Sequence, residues 1–412
     1  MDYKEILKKY DQEHVLKYMD MMDEEQKANC IKQIESIDFE QLKNLYALSK
    51  KSNEEIVESL IIEHMDFTDK YRLSKEEYNE IKVLGEEVIR NGKYAVITTA
   101  GGQGTRLGHT GPKGTFLVNI KPEPEYLFQI ILDTIKRANE KYGVTITWYI
   151  MTSTENDQVT RDFFEEHNYF DYPKEKIVFF VQDNMPLLNE DGKVIINKQF
   201  EIKEASDGNG CIYKALKKNG LLDKMKQEGT EWIFVGSADN VLVHMVDPLL
   251  VGLTIKENNL IGSKSIIKSG PHERVGVFCK KNSKPGIIEY SEMPEEMAEE
   301  TDEEGELVFA DSNIVCHLYN IKAMEQLADV KLPYHSAHKK ADFMQLDGEM
   351  FKATEPNAYK YEAFIFDGFS YFDDMSVLRV KREEEFAPIK NKEGNDSPET
   401  AIALYNKFWN LD

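Results

Sequence analysis

Cysteine is scarce and scattered: the 412 residues contain four, Cys30, Cys211, Cys279 and Cys316, with no Cys-x-x-Cys pair among them. That pattern argues against a disulfide framework or a zinc site and suits reduced thiols in a core. No uninterrupted apolar run is long enough for a membrane span, and the polar start Met1-Asp2-Tyr3-Lys4-Glu5 lacks the apolar stretch of a secretory signal. A cytoplasmic, soluble protein is expected. Positive charge is also in deficit, with 51 Lys and Arg against 74 Asp and Glu and a formal net charge of −23. Such a field repels a nucleic-acid duplex and an anionic membrane alike, so neither is an expected partner. Repeats and low-complexity linkers are absent. What remains, 41% hydrophobic and 11% aromatic, is the composition of a globular enzyme with two or more domains.

An acidic protein that binds a polyanion must gather its cations locally, and one segment does so. Thr98-Thr99-Ala100-Gly101-Gly102-Gln103-Gly104-Thr105-Arg106-Leu107-Gly108-His109-Thr110-Gly111-Pro112-Lys113-Gly114 follows the apolar run Tyr94-Ala95-Val96-Ile97. The run has the length and β-branching of a buried strand, so the glycines begin where open α/β sheets bind ligands. Glycine lets backbone N–H groups approach phosphate oxygens, while Arg106 and Lys113 add fixed charge, so the loop reads as a triphosphate cradle. Its Gly102-x-Gly104-x-x-x-Gly108 spacing departs from the dinucleotide fingerprint, which argues against a dehydrogenase, and no Gly-Lys-Ser/Thr makes a Walker loop.

Pattern divides the chain into three parts: a helical region over 1–90, a catalytic domain over 91–380, and a segment over 381–412. In the first, Asp23 with Gln26, Asp38 with Gln41, and Ser74 with Glu77 are helix-start signals. From residue 93 strands and helices alternate. Strands are predicted at 94–99, 146–151, 177–181 and 232–235, and helices at 125–141, 157–167 and 210–219, with another starting at Asp247-Pro248. Such alternation implies an α/β fold built on a largely parallel, doubly wound sheet. Residues 260–320 read as further β structure interrupted by Glu292–Glu306, whose nine acidic residues and no basic ones read as a solvated loop. Ser397-Pro398 opens a final helix. His335 and His338, three apart, could share a helix face, but no third ligand at metal spacing accompanies them.

The loop resembles the signature of the nucleotide-sugar pyrophosphorylases, Gly-x-Gly-Thr-Arg-x-Gly, three variable residues, then Pro-Lys, with every fixed position filled by Gly102, Gly104, Thr105, Arg106, Gly108, Pro112 and Lys113. Further matches follow in order: Phe179-Phe180-Val181-Gln182, Asp207-Gly208-Asn209-Gly210, Asp239-Asn240, Glu273-Arg274-Val275-Gly276-Val277, Glu289-Tyr290-Ser291-Glu292, Asn313, Tyr334-His335 with Lys339-Lys340, and Glu383 to Asn391. From about residue 10 onward the chain is similar to the UDP-sugar pyrophosphorylase family, most of all to its eukaryotic-type UDP-N-acetylhexosamine branch, in the compact form expected of a bacterial member.

The resemblance implies a Rossmann-like, glycosyltransferase-A-like nucleotidyltransferase domain with a mixed, mainly parallel sheet. It also implies a reaction: UTP and a sugar 1-phosphate, with N-acetylglucosamine 1-phosphate the leading choice, exchange reversibly with UDP-sugar and pyrophosphate. Such a substrate brings its own anionic nucleophile, so catalysis is alignment plus charge neutralisation. By carry-over, Gly101, Gly102, Gly104 and Thr105 cradle the nucleotide's phosphates, Arg106 and Lys113 stabilise the leaving pyrophosphate, and Lys390 grips the sugar phosphate. Gln182 and Gly208 contact uracil; Asn209, Gly276, Glu289 and Asn313 face the sugar. Asp239 is the ligand for Mg²⁺ or Mn²⁺, with Asp367 a possible second carboxylate. Plainer readings stand beside these. Lys390 alone would read as a surface lysine, Gln182 as a structural amide, the sugar-facing residues as loop caps, and Asp367 as a turn cap.

Two departures bear on the sugar. Ser206 stands where the family usually has proline, and His109-Thr110-Gly111 is this chain's own filling of the variable positions. Eukaryotic members continue into a further C-terminal region after the Lys390 string, so oligomerisation or regulation carried by that region is not assumed here. A glucose 1-phosphate or broad-specificity enzyme remains an alternative, as does an inactive UDP-sugar-binding regulator.

Overall fold

The computed structural model describes residues 2–50 and 60–411. The chain forms two compact units, the first made of the described residues of Met1–Glu58 with Asp183–Cys211 and Leu332–Ile365, the second of those of Ser59–Gln182 with Ile212–Lys331 and Phe366–Asp412.

Four helices open the first unit, Tyr3–Lys9, His14–Met19, Glu24–Ser36 and Phe39–Leu48. Their apolar faces close a core of Leu7, Val15, Cys30, Ile34 and Leu42 with Val194, Ile196, Ile202, Met344 and Tyr361, drawn from distant stretches of chain. The start signals are used. Asp23 and Gln26 form a reciprocal capping box, and the Asp38 carboxylate accepts from the Gln41 amide. His335 and His338 do not share a helix face; they lie on the strand His335–Lys339, which pairs antiparallel with Ala358–Glu362. Three-residue spacing on a strand puts the two rings on opposite faces.

In the second unit an eleven-stranded sheet carries the functional loops. Tyr94–Thr99, Thr147–Thr152, Ile177–Val181 and Trp232–Ser237 run parallel, within a residue or two of the runs read from sequence. All but Ile177–Val181 are buried almost throughout, as strands covered on both faces must be. The sheet is mixed because Asp311–Asn320 inserts antiparallel between Trp232–Ser237 and Ile261–Ile267, with Ser376–Arg379 parallel beyond. Helices Leu127–Tyr142, Asp157–Glu166 and Pro248–Lys256 cover it, the first stopped by Gly143 at φ 68°. Region 1–90 is less uniformly helical than its pattern predicts. Ile62–His64 pairs with Val277–Lys281, and Thr68–Asp69 with Ser376–Arg379, strands too short to leave a period in the sequence. Helix Lys75–Arg90, with its Ser74/Glu77 capping box, belongs to this unit. The last helix, Pro398–Trp409, starts at a Ser397/Thr400 box. Among the described residues no helix is long and apolar enough to cross a membrane.

Candidate active site

Parallel pairing of Tyr94–Thr99 with Trp232–Ser237, in register through Thr99↔Ser237, releases two loops side by side at the carboxyl ends of the strands. One is the glycine loop and the other holds Asp239. The Ala238 amide donates to the Thr99 carbonyl at 3.3 Å, fixing their relative height.

The glycine loop is folded on itself by its own backbone. Gly104 N–H donates to Gly111 O at 2.9 Å, Lys113 N–H to Gly102 O at 3.0 Å, and His109 N–H to Gly104 O at 3.1 Å. The side chain of Asn156, buried beneath the loop, donates to the Ala100 carbonyl at 2.9 Å. His109, which sequence left as filler, meets Thr115 Oγ1 at 2.8 Å through Nε2 and packs edge-on to Phe116. Gly101 serves a close approach: a Cβ there would lie 2.7 Å from Nε2 of Gln182. Gln182 follows the neighbouring strand Ile177–Val181, is 5% exposed, and donates its backbone N–H to Thr152 O. Gly102, Thr105 and Arg106 stay exposed.

Charge converges at the second loop. Lys113 Nζ donates to Asp239 Oδ2 at 2.9 Å, the two side chains being 19% and 16% exposed. Burial alone would raise the Asp239 pKa, but the ammonium groups of Lys113 and then Lys390 outweigh it, and the carboxyl is held below its usual range. Lys390 arrives from far along the chain, its neighbour Ile389 donating N–H to Asp239 O at 2.8 Å. Its own Nζ lies 3.7 Å from Asp396. Arg106, Lys113, Asp239, Lys390, Gln182 and the glycines thus share one unit, and the Lys113, Asp239 and Lys390 charges one locality.

Three of the four positions that the resemblance assigns to the sugar also come together. A Cβ on Gly276 would sit 2.7 Å from Oε1 of Glu289, and Asn313 N–H donates to Gly276 O at 2.8 Å. Asn313 Oδ1 accepts from the Val315 amide, which spends one of its polar atoms on the backbone. In the first unit Gly208 sits at φ 95°, where any Cβ would run into the Ala363 carbonyl, so glycine is required by geometry. Asn209 Oδ1 accepts from the Ile365 amide at 3.0 Å, a loop-capping role. Asp367 lies in the turn-like helix Ile365–Tyr371, and its carboxylate joins a different group. The buried Tyr213 phenol is held well above its ordinary pKa by burial first, then by Tyr319 and Asp367.

Could these residues hold a divalent cation? Among the described residues no three His, Cys, Asp or Glu side chains are arranged as a metal cage. A single ionised carboxylate beside the glycine loop does fit Mg²⁺, an ion commonly held by one or two carboxylates together with waters and substrate phosphates. The four cysteines are buried and none forms a disulfide among the described residues, and burial pushes the thiols of Cys30 and Cys279 up to about 11, leaving those two as inert core residues.

Asn240, which the sequence singled out only as part of the Asp239-Asn240 match and without a role, joins the Asp239 loop to residues 385–387. Its amide donates to Glu385 O at 2.7 Å and accepts from Ala387 N–H at 2.8 Å, across more than 140 residues of chain.

Residues 36–405 match the family described as UTP–glucose-1-phosphate uridylyltransferase. The chain is 40% identical over 347 residues to a UDP-N-acetylglucosamine pyrophosphorylase of Saccharomyces cerevisiae, covering 81% of this chain and 72% of that protein. It is 38% identical to UDP-N-acetylhexosamine pyrophosphorylase-like protein 1 of Xenopus tropicalis over 77% of its own length, and spans 64% of that relative. Among solved structures, the uridine diphosphate N-acetylglucosamine pyrophosphorylase of Trypanosoma brucei superposes with a TM-score of 0.81 at 28% identity, over 98% of this chain and 84% of that one.

Proposed function

The chain belongs to the family of UTP–glucose-1-phosphate uridylyltransferases, and on that premise we propose that it joins UTP to N-acetylglucosamine 1-phosphate, forming UDP-N-acetylglucosamine and pyrophosphate. The observation that carries the reading is the Lys113–Asp239 pair, seated at the carboxyl ends of two parallel strands beside a backbone-built anion cradle. A phosphate oxygen of the sugar 1-phosphate attacks the α-phosphorus of UTP, a P–O bond forms, and the bond from that phosphorus to the α,β-bridging oxygen breaks, the oxygen leaving with the β- and γ-phosphates as pyrophosphate. No proton need be removed from the nucleophile, so the chain's task is alignment and charge neutralisation.

In this reading the amides of Gly101, Gly102, Gly104 and Thr105 receive the nucleotide's phosphates. Arg106 and Lys113 take up the charge that grows on the departing pyrophosphate, and Lys390 steers the sugar phosphate. Gln182, buried at the strand end, pairs with the edge of uracil. Glu289 and Asn313 face the sugar beside Gly276. Asp239 would hold Mg²⁺, which when bound supplies positive charge between phosphate oxygens; Asp367 is the second carboxylate suggested by the sequence. Four buried cysteines that form no disulfide among the described residues accord with a reducing cytoplasm.

Pyrophosphate release from UTP with N-acetylglucosamine 1-phosphate or glucose 1-phosphate tests the sugar. We expect the acetamido sugar to be favoured roughly tenfold to hundredfold in kcat/KM, the scale of one polar group left unpaired in a pocket. A preference for glucose 1-phosphate overturns the choice of sugar. Binding of UDP-sugar without turnover in the presence of magnesium overturns the enzyme reading.

A further inference from the structure

Lys390 and Asp239 stand 151 positions apart, and a set of buried contacts holds their segments in one register. Besides Ile389 N–H to Asp239 O, the Val241 amide donates to Ala387 O at 3.2 Å, so that Asn240 and Pro388 form a short antiparallel bridge. The Asn240 side chain, 2% exposed, closes it three ways: to Glu385 O at 2.7 Å, from Ala387 N–H at 2.8 Å, and from Leu242 N–H at 3.1 Å. Proline at 388 can donate nothing, so the bridge depends on this amide for much of its bonding.

The end of that segment is itself pinned. Lys264, wholly buried on Ile261–Ile267, places Nζ 2.8 Å from Glu385 Oε2 and 2.7 Å from Asp247 Oδ2. Asp247 caps helix Pro248–Lys256 through the Leu249 amide, and Lys70 approaches the other Glu385 oxygen at 3.9 Å. Sheet, helix and Lys390 segment therefore meet on one lysine.

We propose that Asn240, backed by the Lys264–Glu385–Asp247 cluster, is a positioning residue that sets Lys390 against the Asp239 loop and so aligns the sugar phosphate for attack. This rests on the role given to Lys390 in the proposed function. Neither Asn240 nor Glu385 needs to touch substrate. Both act by fixing where Ile389, and with it Lys390, is held. Nothing about Lys390 alone would hold it there, since its side chain is over a third exposed and the carboxylate it meets, Asp396, lies on its own loop. Displacing a positioned group by about 1 Å can cost on the order of a hundredfold in rate.

Two variants test it, Asn240→Ala and Glu385→Gln, the second keeping shape and an acceptor for Lys264 should the first fold poorly. Hydrogen exchange followed by mass spectrometry is expected to show faster exchange in peptides spanning 385–391, with Tyr94–Thr99 and Trp232–Ser237 as protected as in the wild type. Steady-state kinetics on the same samples should show the KM for sugar 1-phosphate raised about tenfold and kcat reduced, with the KM for UTP within about twofold. A merely structural role would lower the active fraction and move neither KM. Unchanged exchange over 385–391 in both variants, or an unchanged KM for sugar phosphate, overturns the proposal. A wild-type protein that releases no pyrophosphate would sink the functional reading instead, while the exchange comparison still decides whether Asn240 sets the register.

Discussion

Two lysine–carboxylate contacts in the same unit have nearly the same length and opposite characters. Lys113 meets Asp239 at 2.9 Å with both side chains still reached by solvent, whereas Lys264 meets Asp247 and Glu385 at 2.7 and 2.8 Å with its ammonium wholly buried. What differs is access to water. A partly hydrated pair is worth little net energy, so Lys113 can exchange its carboxylate for a phosphate at small cost. Lys264 has no such alternative. Two carboxylates compensate it, the second also balanced by the neighbouring Lys70, and removal of the lysine strands both in a low-dielectric interior. One pair is open to rearrangement by an anion, the other is held in place.

The largest effect expected from that contrast is on stability. Lys264→Met leaves Asp247 and Glu385 buried together without their cation, and should cost on the order of 3–5 kcal/mol. Urea denaturation of the variant beside wild type measures it. A loss below about 1 kcal/mol would mean that the two pairs differ less than their burial implies.

The next effect belongs to the open pair and moves activity rather than stability. Lys113→Ala should unfold within about 1 kcal/mol of wild type, since water reaches the pair and Lys390 remains as a second cation acting on Asp239. Its turnover should fall by roughly a hundredfold or more, the usual loss for one group aimed at developing charge. Arg106→Ala, exposed and in the same loop, should behave alike. Asp239→Asn keeps the shape and one acceptor while losing the charge, so the Mg²⁺ concentration needed for half-maximal pyrophosphate release should rise. Wild-type kinetics in the Lys113 and Arg106 variants would remove the cradle from the mechanism, and an unchanged magnesium requirement would move the metal away from Asp239.

The same contrast explains how far the sequence could be read. Lys113 lies inside a contiguous string whose spacing is itself the signal, and strand runs such as Trp232–Val235 announce where Asp239 must emerge. The parallel core and the cap residues were legible because they are local. Lys264 was not, since it sits within an apolar strand pattern and its partners lie 17 positions before and 121 after it. Asn240 stands in the Asp239-Asn240 match, but its bonding to residues 385 and 387 was invisible for the same reason. Strand Asp311–Asn320 has an ordinary β composition, and nothing local tells it to run antiparallel between two distant strands. His335 and His338 misled because three-residue spacing carries no phase without knowledge of the element that bears it. Asn313 and Asn209 illustrate a different limit: each spends a carbonyl oxygen on a backbone amide, so a position that matches a ligand pattern also does loop-capping work.

Acid offers the finest test of the comparison, because both carboxylates are depressed but by different surroundings. Burial works against ionisation of Asp247, and the Lys264 ammonium, through charge and a hydrogen bond, more than reverses it, carrying the carboxyl from 3.8 down to about 2. A carboxyl whose folded pKa lies below its unfolded value adds stability above the unfolded pKa and loses it as pH falls through the folded one. The window is therefore about pH 4 down to about pH 2, and the shift corresponds to roughly 2 kcal/mol. Urea midpoints at steps between pH 5 and pH 2 should fall more steeply in wild type than in Asp247→Asn, which is less stable at neutral pH but has no such proton to take up. Asp239 shifts in the same direction, yet water reaches its pair with Lys113, so Asp239→Asn should leave most of the acid slope in place. Equal flattening of the slope by the two substitutions would show that the site pair stores as much folding energy as the buried one, and that Lys113 is not free to leave Asp239 for a phosphate.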